Sequence, residues 1–141
     1  MKTFKQLLNK LNACKEAVRW ADDKTIEQVI EQCHRGDWLL WLARRVDIGL
    51  HPLTLAKGHC ANTVRHLMKD ERSIKAVDTA IAFGEGKVTI AEFAADYAAA
   101  AAAYAAAAAD ARIKNQQQTA DICRQYIGKL IIDKVNELLN K

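Results

Sequence analysis

The chain is poor in the residues that interrupt helices. Its 141 residues include one proline, Pro52, and six glycines. No segment alternates apolar and polar residues long enough for a strand, which excludes sandwich, barrel and α/β architectures. No CxxC pair occurs, and Cys14, Cys33, Cys60 and Cys123 are spread over more than a hundred positions. That excludes a disulfide scaffold and the common zinc spacings, and it fits reduced thiols in a cytoplasmic protein. The phosphate loop, the dinucleotide fingerprint and the calcium loop are all missing. No run of strongly apolar residues is long enough to span a bilayer, and MKTFKQLLNKLNAC lacks the form of a signal peptide. Charge is nearly balanced at +4, with acids interspersed among the bases. Arg19, Lys24, Arg44, Arg45, Lys57, Arg65, Lys69, Arg72 and Lys75 therefore make a solvated surface, and no nucleic acid is expected as partner.

What remains is helical. The chain is expected to form one all-α domain over residues 1–141, a bundle of about seven helices with short connections. Phe4, Leu7, Leu8 and Leu11 make the first apolar stripe. Asn12 is the expected cap of a second helix through Trp20. Asp22 and Asp23 signal the next helix, Lys24 to His34, with Ile26, Val29, Ile30 and Cys33 inward and Gly36 as its left-handed stop. Asp37 would cap a helix from Trp38 to Val46, with Trp38, Trp41, Leu42 and Arg45 on one face and Gly49 as its stop. Pro52 suits the first turn of a helix to about Lys69, whose inward stripe is Leu53, Ala56, Cys60, Val64 and Leu67. Ser73 would cap the next, ended by Gly84 and Gly86.

Thr89 and Glu92 form a capping box, TIAE, and open an alanine-rich helix from Ile90 to about Lys114. At 1.5 Å per residue it would be about 37 Å long. Alanine favours helix and allows backbones to approach closely, so this element is expected to be the spine of the bundle. It carries no nucleophile, base or metal ligand along its centre. The last helix, Thr119 to Leu139, would bury Ile122, Cys123, Tyr126, Leu130 and Leu138, with Gly128 marking close packing or a kink.

The most distinctive string is CHRGDWLLWL, residues 33–42. A recognition edge would use Arg35 as a planar fork for a carboxylate, with Trp38 and Trp41 as anchors. An internal role would make Asp37 a helix cap, pair Arg35 with an inner acid and bury both tryptophans. Arg35, Asp37, Trp38, Arg44 and Arg45 are the candidate partner-binding residues. Cys33–His34 and His59–Cys60 resemble two halves of a zinc site. Neighbours on a helix diverge by about 100°, however, so no metal and no cofactor is expected. Asp22, Asp23, Asp37 and Asp47 with His34 or His59 could be catalytic only at a shared cleft. They serve more economically as caps, and no enzyme activity or catalytic residue is expected.

The order ACKEAVRWA, CHRGDWLLWL, LAKGHCANTVRHLMKDER, FGEGKVTIAEF, YAAAAAAYAAAAA, TADICRQYI resembles the Imm5-type immunity protein family of bacterial polymorphic-toxin and phage genomes. The likeness covers about residues 11–127. It implies an all-α protein that neutralises a protein toxin or defence effector by stoichiometric binding, without catalysis. It also draws attention to Asp121 and Arg124 of TADICR as an internal polar framework. An alternative is a phage structural or virion-associated protein in which the alanine-rich helix mediates assembly.

Overall fold

The computed structural model describes residues 2–96 and 115–141. Among them every regular element is a helix and no strand occurs. The alanine-rich spine and its assembly role fall largely on residues 97–114, which lie outside the described residues.

Side-chain chemistry at each joint sets the helix limits. Helix α1 (Phe4–Lys10) opens on a capping box: Thr3 Oγ1 accepts from Gln6 N at 3.1 Å, and the Gln6 side chain accepts from Thr3 N at 2.9 Å. Asn12 is a stop and not the expected cap. At φ 63° it donates to Asn9 O, while Ala13 donates to Leu8 O, the paired bonds of a left-handed terminus. Asparagine tolerates that conformation better than most side chains. Helix α2 (Lys15–Trp20) then starts from Cys14 with no side-chain cap bond.

Helix α3 (Ile26–Gln32) is capped by Thr25 with Gln28, and not by Asp22 or Asp23. Only Thr25 has a glutamine three residues on to complete the box; Asp22 pairs with Lys5 at 2.5 Å. Gly36 does not stop α3 but begins α4 (Gly36–Arg45), with Arg35 at the cap position. Asp37 lies in the first turn of α4, where a carboxylate suits the helix dipole, and makes no cap bond. The stop of α4 is Asp47 at φ 58°, and Gly49 at φ 103° is the cap of α5 (Leu50–Asn62).

Helix α5 ends before the expected Lys69. A single 3₁₀ turn, Arg65–Leu67, follows, and Leu67 is exposed. Asp70, not Ser73, caps α6 (Glu71–Gly84) by accepting from Arg72 N at 2.9 Å. Ser73 is buried at the third position of the first turn, its hydroxyl without a hydrogen-bond partner among the described residues. Gly84 belongs to the helix, where its missing side chain lets Leu55 approach, and Gly86 at φ 78° makes the stop. The TIAE start holds: Thr89 Oγ1 accepts from Glu92 N at 3.2 Å, and residues 90–96, α7, are helical.

Helix α8 (Gln116–Leu139) is the element on which α1, α3, α4 and α5 converge. It buries Ala120, Cys123, Ile127, Ile131 and Val135. The expected face is turned by about one residue, roughly 100°, because Tyr126 and Leu130 remain exposed. Tyr126 lies flat on His59 instead, with ring centres 4.3 Å apart. Gly128 does mark close packing, since a Cβ there would touch Ile30 Cγ2 at 3.1 Å. Helix α4 turns similarly: Leu39, Leu42, Ala43 and Val46 are buried, and Trp38 and Trp41 are half-buried on its flank.

Candidate binding site

Helices α1, α2, α3 and α4 leave a half-open pocket of about 280 Å³ between them. All three tryptophans of the chain, Trp20, Trp38 and Trp41, line it. Trp20 and Trp38 meet with ring centres 6.0 Å apart, and His34 lies 6.1 Å from the first and 6.3 Å from the second. A basic side chain sits over each indole: Lys24 over Trp20 at 4.7 Å, Arg35 over Trp38 at 4.4 Å and Arg45 over Trp41 at 5.4 Å. Such stacking fixes large rings at a half-wet edge, where an indole otherwise has several rotamers.

Asp37 is the carboxylate on the pocket lining. It accepts from Arg35 Nε at 3.1 Å and from Nη2 at 2.7 Å, a fork-to-carboxylate pair. Glu16 approaches the same guanidinium at 3.7 Å. The hydrogen bonds that Asp37 accepts raise the Arg35 pKa further above its already high ordinary value. Of the five expected partner-binding residues, Arg35, Asp37 and Trp38 therefore form one unit, neither core nor free surface. Arg44 and Arg45 are exposed at the end of α4, and neither pairs with a carboxylate among the described residues.

The other expected pair separates in role. Arg124 reaches across to α3, donating from Nε to Ile30 O and from Nη2 to Cys33 O, both at 2.7 Å. Asp121 lies on the surface, its side chain 63% exposed, and takes Arg124 Nη1 at 2.8 Å. The internal framework is thus Arg124 with backbone carbonyls; Asp121 only flanks it.

Trp20, Lys24 and the small residues Ala13, Ala17 and Ala21 are the site members that sequence reasoning missed. Lys24 carried a signal, since it follows Trp20 by one helical turn and its Nζ donates to Trp20 O at 2.9 Å. Nothing in the spacing of Trp20 and Trp38 announces that α2 and α4 meet.

The other candidate groups have structural partners. His51 stacks on Phe83 at 4.3 Å and His59 on Tyr126. Among the described residues no group of three or more His, Cys, Asp or Glu is arranged to hold a metal ion, and no helix is long and apolar enough to cross a membrane. Cys33, Cys60 and Cys123 are buried and Cys14 is exposed. The Cys33 thiol donates to Arg35 O, that of Cys60 to Thr119 O and that of Cys123 to Gly36 O. Burial pushes the Cys33 thiol pKa up, and contact with the Cys60 thiol together with burial does the same to Cys123.

These shifts predict alkaline sensitivity. In the unfolded chain the thiols ionise near pH 8.5, while in the fold Cys33 and Cys123 hold their protons to higher pH. The folded state then binds more protons, so stability is complete below that pH and falls as pH rises above it. Both thiols act in the same direction, so stability should be lower at about pH 9.5 than at about pH 8. Urea unfolding at both pH values should show it, and Cys33→Ala should remove that residue's share of the slope.

No family model, no curated protein and no solved structure matches this chain.

Proposed function

We propose that this chain is a stoichiometric protein-binding protein of the immunity type, which occludes a toxin or defence effector and performs no chemistry of its own. The supporting observation is the edge where α2 meets α4. There Trp20, His34 and Trp38 pack ring against ring with Arg35 stacked on Trp38, and Arg44 and Arg45 project from the end of α4 without a carboxylate partner among the described residues. Half-buried tryptophans pinned by arginines are the side chains that carry interface energy, because they are already ordered and bury large area on contact. Unpaired arginines favour an acidic surface on the partner and speed encounter with it.

The test is affinity capture from native cells with the tagged chain. One partner should be recovered in near-equal amount. The surface variant Arg44→Glu should weaken that capture at least about 10-fold, mostly by slower association, while leaving the fold intact. Recovery of no stoichiometric partner, or capture indifferent to this charge reversal, counts against the reading.

A further inference from the structure

The half-open pocket holds about 280 Å³. That lies just under the usual size of small-ligand clefts, roughly 300–1,000 Å³. Ala13, Ala17 and Ala21, four residues apart, contribute small side chains to its lining, and Trp20, Trp38 and Trp41 contribute broad aromatic ones. Longer side chains at the alanines would fill the space. Charge then narrows the occupant. The carboxylate on the lining, Asp37, is already satisfied by two bonds from Arg35. Lys24, Arg35 and Arg45 each already cover one face of an indole, so those faces are closed to a ligand cation. A cationic ligand would therefore find no unsatisfied acid on the lining, whereas a flat uncharged ring can lie against indole and alanine and turn any edge N–H to the open side of the pocket.

We infer that the pocket between α1, α2, α3 and α4 is a binding site for a small, uncharged aromatic molecule of about the size of indole. This assignment stands on the pocket itself and is independent of the protein-binding reading. The probe is indole, titrated into the full chain labelled with ¹⁵N, with tryptamine as the cation carrying the same ring. Indole should bind saturably with a dissociation constant below about 1 mM, shifting the indole N–H signals of the three tryptophans. Tryptamine should bind at least about 10-fold more weakly. Ala17→Phe, checked for folding by circular dichroism, should abolish the shifts by filling the space. Failure of indole to saturate, shifts confined to residues away from the tryptophans, or equal binding of tryptamine would each overturn the assignment. The comparison of the two probes needs no variant, so it decides the matter even if Ala17→Phe fails to fold.

Discussion

Replacing Gly36 by alanine is expected to remove about 3 kcal/mol or more of folding free energy, although it adds one methyl group. Gly36 opens α4 directly against Thr119 near the start of α8. A Cβ there would lie 2.6 Å from Thr119 Cβ and 2.7 Å from the Thr119 carbonyl carbon. The second of these is backbone and cannot swing aside. Thr119 itself is fully buried, and its hydroxyl is tied to Gln116 O at 3.0 Å. Two helices of the main core must therefore separate, which also lifts Cys123 away from its contact with Gly36 O. Extra methylenes in a packed core cost typically 1–3 kcal/mol when side chains absorb them, and more when backbones must move. Urea unfolding should show a lower midpoint at unchanged slope. Gly86→Ala is the internal comparison. Among the described residues nothing lies within 4 Å of a Cβ at Gly86, and its cost of about 1–2 kcal/mol comes from φ 78°. If Gly36→Ala cost no more than Gly86→Ala, the close crossing of α4 and α8 would be wrong.

Gly36 also shows where sequence reasoning reaches its limit. A glycine between two helical patterns can be a left-handed stop, a cap or a close-approach residue, and only the neighbouring helix decides among them. The inward stripes of α1 and α3 were legible because Phe4, Leu7 and Leu8, or Ile26, Val29, Ile30 and Cys33, repeat at helical spacing with polar residues between. The choice of cap was less so. Asp22, Asp23 and Thr25, or Asp70 and Ser73, are all good caps within three residues of one another, and the winner is set by which side chain has the helix's first N–H groups in reach. The stop at Asn12 was hidden because asparagine is also a good cap, and the stop at Asp47 because Gly49, two residues on, looked better suited. In α8 the apolar residues run nearly all round, so periodicity could not fix which third of them faces the core. The site divides in the same way. Arg35, Asp37 and Trp38 stand together because they are contiguous. Trp20, Lys24 and Ala17 join them only through the packing of α2 on α4, which no local pattern encodes.

Arg124→Met is expected to lose about 2–3 kcal/mol, the second largest effect, and the reason is the end of α3. The last carbonyls of a helix have no partner within it. In α3 those of Ile30 and Cys33 are met by the Arg124 fork, two charge-assisted bonds of 2.7 Å that also place a cation at the negative end of the helix dipole. Methionine keeps most of the packed volume and removes both donors. Each hydrogen bond to a charged group contributes about 1.5–3 kcal/mol. The side chain of Arg124 is 26% exposed, so water can reach part of the vacated site, and the expected loss is set below the full sum. Arg124→Lys should recover less than half of it, because an ammonium cannot serve two divergent carbonyls in a planar fork. Asp121→Asn should cost no more than about 0.5 kcal/mol, since that pair is largely solvated. The three unfolding free energies separate the alternatives: equal losses at Arg124 and Asp121 would make the ion pair the stabilising element, whereas a large loss at Arg124 alone assigns that role to the carbonyls of α3. Because Cys33 leads directly into Arg35, loosening the end of α3 should also disturb the Arg35–Asp37 unit, and the Trp38 indole signal should broaden in Arg124→Met before global unfolding begins.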